Sequence, residues 1–140
     1  MLESLHRDIR VLTQESGATP SEIATLKSRF PTLPDLLADL MLDATELELS
    51  YRGRYLRLYG PRGCIEMDNA YGISDAIPTA ITIGDNGGGE AIVLVENTVY
   101  RIGYGALAPD ELNYIASSVD ELLILAKPNP DAIGGCLADA

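Results

Sequence analysis

Acid–base or nucleophilic chemistry in this chain would have few side chains to draw on, and the scarcest is histidine. His6 is the single one in 140 residues. A Ser-His-Asp or Cys-His site would have to use it. It stands at the margin of an apolar stripe in a segment that reads as peripheral, and no nucleophile elbow is present. A half-exposed packing residue is the better expectation. The run Gly84-Asp85-Asn86-Gly87-Gly88-Gly89 is glycine-rich enough to suggest phosphate binding. A P-loop, however, needs Gly-Lys-Ser/Thr leading into a helix. This run has no lysine and leads into an apolar strand, and Asp85 and Glu90 would repel a phosphate. The alternating oxygen ligands of a calcium loop are missing too. Two readings remain: a hairpin loop whose glycines supply positive φ, or a mobile recognition loop.

Cys64 and Cys136 lie far apart in sequence and form no metal pattern. A disulfide between them stays open as an alternative, while a cytosolic chain would keep both as free thiols. Arg52, Arg54, Arg57 and Arg62 are the only basic cluster, and Tyr51, Tyr55 and Tyr59 are interleaved with them. That pattern resembles a nucleic-acid platform, but pairing with Glu46 and Glu48 is the expected use. The adjacent carboxylates Asp110-Glu111 and Asp120-Glu121 suit helix starts better than general acid–base work. No catalytic residue, cofactor or metal is expected.

The charge balance agrees. The chain carries 21 acidic against 10 basic residues, a net charge of −11. Residues 51–101 are nearly balanced, and the segments on either side hold the excess. Nucleic acid and anionic membranes would be repelled, while basic protein partners are admitted. Solubility in a crowded cytoplasm is the plainer use of the same charge. Hydrophobic residues make up 46% of the chain, which excludes a disordered chain. The first eight residues are charged and show no signal-peptide core. The longest apolar runs, Ala91–Val95 and Leu122–Ala126, are too short to cross a bilayer. A cytoplasmic location is expected.

These side chains need elements to hold them. Leu2, Leu5, Ile9 and Leu12 step by three and four, which predicts an amphipathic first helix. Thr19-Pro20-Ser21-Glu22 reads as a capping box opening a second helix, with Ile23, Leu26 and Phe30 buried and Pro31 as the stop. Pro34 opens a third, with Leu36, Leu37, Leu40 and Met41 inward. The period then changes to two. Glu46–Tyr51 and Arg54–Tyr59 are expected as an antiparallel hairpin around Arg52-Gly53, with Leu47 opposite Leu58, Glu48 opposite Arg57 and Leu49 opposite Leu56. Gly60-Pro61-Arg62-Gly63 reads as a turn, and residues 64–79 as a short helical turn or loop. Ile81 and Ile83 mark a strand. Ala91–Val95, apolar on both faces, is expected as a central strand. A three-residue loop at Asn97 would put Tyr100 and Ile102 on the face of Ile92 and Leu94. Residues 103–116 show no clean period. Ser118–Glu121 is a second capping box, with Val119, Leu122, Leu123 and Ala126 buried behind it. The class is α+β, a mostly antiparallel sheet flanked by N-terminal and C-terminal helices. A single domain over 1–127 is expected, with a loosely attached tail over 128–140.

Taken in order, several of these segments resemble the SUKH superfamily of fungal cell-wall assembly regulators and bacterial immunity proteins. The resemblance runs through Ser21-Glu22-Ile23 with Leu26, Leu33-Pro34 before the leucine helix, and Leu58-Tyr59-Gly60. It continues through Ile83-Gly84-Asp85-Asn86-Gly87-Gly88-Gly89-Glu90 and its apolar strand, Val99-Tyr100, and Ile115 to Leu123. It covers about residues 21–123. Asp43-Ala44-Thr45 stands where an asparagine-glycine is common, and Val119 where phenylalanine is. The resemblance implies a SUKH-like α+β domain without agreed catalytic residues. Many bacterial members are of this size and are thought to neutralise a cognate toxin by binding it. A cytoplasmic immunity protein facing a protein toxin, such as a nuclease with a basic cleft, is the first expectation. An intracellular regulatory or scaffold module binding a host protein is the alternative. The expected partner-binding residues are Asp85, Asn86, Gly87, Gly88, Gly89 and Glu90, with Asp85 and Glu90 meeting arginine or lysine.

Overall fold

Period-two alternation at residues 46–59 sets the frame of the sheet. A computed structural model describes residues 1–138. Its seven strands form one antiparallel sheet in chain order. They are β1 (Ile9–Ser16), β2 (Ala44–Tyr51), β3 (Arg54–Leu58), β4 (Ile81–Asp85), β5 (Glu90–Val95), β6 (Thr98–Gly103) and β7 (Asn113–Ala116). The helices are α1 (Pro20–Arg29), α2 (Asp35–Asp43), α3 (Pro61–Tyr71), α4 (Ile73–Ala76) and α5 (Val119–Leu123). The architecture is α+β. Among the described residues no helix is long and apolar enough to cross a membrane.

The β2–β3 hairpin has the expected register, Leu47 opposite Leu58, Glu48 opposite Arg57 and Leu49 opposite Leu56. Its two-residue turn places Arg52 at φ 49° and Gly53 at φ 94°, the left-handed pair a type I′ turn requires. Leu47, Leu49, Leu56 and Leu58 face one side. With Ile81, Ile83, Ile92 and Leu94 they meet Leu26, Leu37, Leu40, Cys64 and Leu122 from α1, α2, α3 and α5. The Thr19 capping box of α1 is complete, both reciprocal bonds being formed. The second box is half formed: Ser118 Oγ accepts from Glu121 N, while the Glu121 carboxylate takes the amide and hydroxyl of Ser117.

β5 lies inside the sheet between β4 and β6 and is buried on both faces. Its Ala91 and Val93 pack with Ile102 of β6 and with Ile73 and Ile77 on the side away from the large helices. The β5–β6 turn has two residues, not the expected three. Glu96 and Asn97 both take positive φ, and Val95 pairs with Thr98. Tyr100 and Ile102 therefore stand opposite Val93 and Ala91, on the other face from Ile92 and Leu94.

Three other expectations are corrected. The N-terminal stripe does not form an amphipathic helix. Leu2–Ser4 is a single 3-10 turn, and Ile9–Ser16 is the edge strand β1, with Ile9 as its one buried residue. Gly60-Pro61 begins the eleven-residue α3, with Pro61 at its first position and Gly72 in the left-handed conformation after its end. The segment from Pro128 is an integral part of the domain as far as residue 138. The Tyr51 hydroxyl donates to the Pro128 carbonyl at 2.9 Å, and Ile133 is fully buried. Tyr55 N donates to Cys136 O at 3.0 Å, Cys136 N to Asn86 O at 3.2 Å and Ala138 N to Gly53 O at 2.8 Å. β3 and β4 share only two residue pairs, Arg57 with Asp85 and Leu58 with Gly84. The C-terminal segment fills the gap beyond them. Such backbone groups must find partners, and here they find them in the chain's own end. Residues 139–140 of the expected tail lie outside the described residues.

Candidate partner-binding site

Of the six expected site residues, Asp85 ends β4, Glu90 begins β5 and the other four form the loop between them, and they face different surroundings. Asn86 is fully buried. Its Nδ2 donates to Ile133 O at 2.8 Å and to Glu90 Oε1 at 2.9 Å, and its Oδ1 accepts from Gly88 N at 3.0 Å. Glu90 is turned into the domain, where its carboxylate takes Arg101 Nη1 at 2.7 Å. Arg101 Nε in turn holds Ala132 O at 3.1 Å. Glu90 is thus committed to an internal ion pair and does not present a free carboxylate. Gly88 lies so close beneath the C-terminal segment that a Cβ on it would be 2.6 Å from Gly135 Cα. A Cβ on Gly135 would be 2.3 Å from Asn86 O. Much of the loop's glycine content therefore serves close backbone crossing.

Asp85 faces the other way. With Gly87 it lines a groove of about 570 Å³ on the sheet face opposite the large helices. Glu48, Tyr55 and Arg57 line it from β2 and β3, Leu12 and Thr13 from β1, and Cys136 and Leu137 from the C-terminal segment. The sheet pattern explains this. Glu48, Tyr55 and Arg57 alternate with the buried Leu47, Leu49, Leu56 and Leu58, so they emerge on the opposite face.

The two carboxylates on this groove are held by hydroxyls and an amide rather than by cations. Glu48 accepts from Thr13 Oγ1 at 2.5 Å and from Tyr55 Oη at 2.7 Å. Those bonds, Thr13 first, hold its carboxyl below the usual glutamate range. Asp85 accepts from Tyr59 Oη at 2.7 Å and from Gly87 N at 2.9 Å. Burial, reinforced by Glu48, pushes the Tyr55 phenol up. Burial together with bonds to Tyr104 and Asp85 pushes Tyr59 up. Both phenols therefore stay protonated donors at neutral pH. Among the described residues no cation lies within ion-pair distance of Glu48 or Asp85. The nearby Arg57 gives its Nη2 to Glu46 at 3.2 Å. Beside Asp85, Tyr59 reaches Tyr104 at 3.4 Å between hydroxyls, and Tyr104 stacks on the half-exposed ring of Tyr71 at 4.2 Å between centroids.

The arginine–tyrosine cluster is thus divided. Tyr51 is buried in the core, Arg54 reaches Asp131 at 2.9 Å, and Arg57 pairs with Glu46 rather than with its cross-strand neighbour Glu48. His6 accepts the Asp8 amide on Nδ1, and no hydrogen bond among the described residues joins it to a serine, threonine or cysteine side chain. Cys64 is buried on the inner face of α3 and Cys136 is exposed, both as free thiols. A second cleft, of about 340 Å³, is lined by Glu15, Glu22, Glu46, Glu66 and Arg62 beside the start of α3. There the helix N-terminus is already served from within, since Gly60 N donates to Glu46 Oε2 at 2.6 Å. Sequence reasoning missed Glu48, Tyr55 and Leu137 as site residues. The cross-strand pairing of Glu48 was a usable signal, while nothing in the sequence placed Leu137 across from Leu12. Compared with known proteins, the chain matches no family model and no curated protein.

Proposed function

We propose that this chain is a non-catalytic, cytoplasmic protein-binding domain of SUKH type that neutralises a cognate bacterial toxin by direct contact. The observation that carries the reading is the acidic groove in which Glu48 and Asp85 flank Arg57 without an ion pair to it, Arg57 being held by Glu46, with tyrosines beside them. Tyrosine is enriched where interfaces concentrate their energy, and carboxylates of this kind complement a basic partner. The net charge of −11 supports rapid, steered encounter with such a partner, as the basic cleft of a nuclease toxin would be. The ordered resemblance over residues 21–123 supports the same reading. Co-expression with the product of a neighbouring toxin gene tests it. Rescue of growth together with co-purification is the expected result. Co-purification with a host regulatory protein, without rescue, would instead support a scaffold module, and neither rescue nor co-purification would end the immunity reading.

A further inference from the structure

We propose that the chain forms a two-fold dimer in which the edge strand β1 pairs antiparallel with β1 of a second copy, Arg10 standing opposite Glu15 of the partner subunit. The inference is independent of what the groove binds. β1 is an eight-residue outer strand with only Ile9 buried, whereas β7 at the other edge has four residues. Apart from the His6 carbonyl, which takes the Ile9 amide at 2.9 Å, no backbone bond from residues 1–8 reaches β1 among the described residues. The direction of its free groups follows from the β2–β3 hairpin. A two-residue turn makes Tyr51 and Arg54 a hydrogen-bonded pair, so the backbone of Ser50 turns to β1 and bonds that of Arg10. Val11 therefore points its N–H and C=O away from β2. Leu12 is an extra residue in the ladder, Thr13 meets Glu48, and Gln14 is the next to point outward.

A bulge ordinarily spoils an edge for pairing. Two-fold pairing instead sets bulge against bulge. With Val11 opposite Gln14 of the partner subunit, the outward groups of both strands meet, and Leu12 falls opposite Thr13 of the partner subunit. That same register places Arg10 opposite Glu15 of the partner subunit, twice by symmetry. Within its own chain neither side chain has an ion-pair partner among the described residues. Arg7 and Arg10 balance Asp8 and Glu15 over residues 7–16, so the net charge of −11 is not concentrated at the contact. Pairing would also cover Val11 and Leu12, which are 40% and 37% exposed.

The test is sedimentation velocity on the whole chain at about 0.15 M salt, where repulsion between two acidic subunits is screened beyond about 8 Å. The chain is expected to pass from monomer to dimer as its concentration rises through the micromolar range. Arg10→Glu and Glu15→Arg each turn both cross-strand ion pairs into like-charge pairs, and each should weaken the dimer about tenfold. Mixed together, the two variants restore opposite charges at both positions, so the mixture should dimerise as the unchanged chain does. Both substitutions fall at exposed positions, and circular dichroism checks that each variant keeps its fold. A chain that stays monomeric at the highest concentration, or a dimer indifferent to either reversal, would overturn the proposal. Weakening in each variant without recovery in the mixture would overturn it too, since another register or surface would then join the copies. Protection of the Val11 and Gln14 amides from hydrogen exchange only in a toxin complex would assign this edge to the toxin instead.

Discussion

Replacing Asn86 with alanine removes three side-chain hydrogen bonds from a fully buried position. Two of them, to Ile133 O and from Gly88 N, are neutral and each contribute about 1 kcal/mol net. The third runs to the Glu90 carboxylate and is worth about 1.5–3 kcal/mol. The Ile133 carbonyl would also lose its side-chain donor at a buried site. Allowing for non-additivity within one network, Asn86→Ala should cost about 3–5 kcal/mol, a large part of the 5–15 kcal/mol typical of a domain. Urea unfolding reads this directly as a lower midpoint. Hydrogen exchange on the folded variant should show Cys136 and Ala138 losing protection first, because Asn86 O accepts the Cys136 amide and the next attachment is Ala138 N to Gly53 O. A loss below about 1 kcal/mol, with Cys136 still protected, would refute the view that Asn86 clasps the C-terminal segment into the sheet.

Asp68 is almost fully buried and joins three helical segments, accepting from Arg29 Nη2 at 2.7 Å and from Ser74 N and Oγ at 2.8 and 2.7 Å. Asp68→Ala should lower stability by about 2–3 kcal/mol in chemical denaturation and Asp68→Asn by less, and equal losses would contradict the charge's part in it. Burial, with Glu46 nearby, pushes the Cys64 thiol up to about 12, so a thiol reagent at pH 8 should label one cysteine in the native protein and two after denaturation. Glu22, Glu48 and Glu121 have carboxyls held below their ordinary value of 4.5 by hydrogen bonds. Their contribution is present above pH 4.5 and is lost as pH falls through the lower folded values. Thermal stability should therefore drop on acidification below pH 4.5, less steeply in Glu48→Gln, and an unchanged slope would count against the Thr13 and Tyr55 bonds.

Elements whose local pattern and tertiary setting agree were legible in the sequence. The β2–β3 hairpin declares itself by an apolar face and an opposite-charge face in the same register, and α1 by Thr19, Pro20 and Glu22 at its start. β1 did not, because an edge strand with one buried residue shows almost no alternation. Its β-branched Ile9, Val11 and Thr13 were the usable signal, masked by the helical spacing of Leu2, Leu5, Ile9 and Leu12. α3 was obscured because its inward face includes Asp68, a charge that interrupts the expected stripe. The β5–β6 turn was misjudged because Glu96 and Asn97 reach positive φ without glycine. That one-residue difference hid the meeting of Arg101 with Glu90. It also hid half of the site's logic, in which Glu90 secures the C-terminal segment and Asp85 is left on the groove. Small residues and prolines at 128–138 suggested a loose end, whereas Gly134 and Gly135 serve its close passage over Asn86 and Arg101.

Stoichiometric inhibition, by the purified chain, of a toxin encoded beside its gene tests the proposed toxin neutralisation most directly. Toxin activity is measured as increasing amounts of the chain are added. Activity falling to background near one equivalent, with an inhibition constant that weakens as salt is raised, is the predicted result. Undiminished activity at a large excess of correctly folded chain would contradict it.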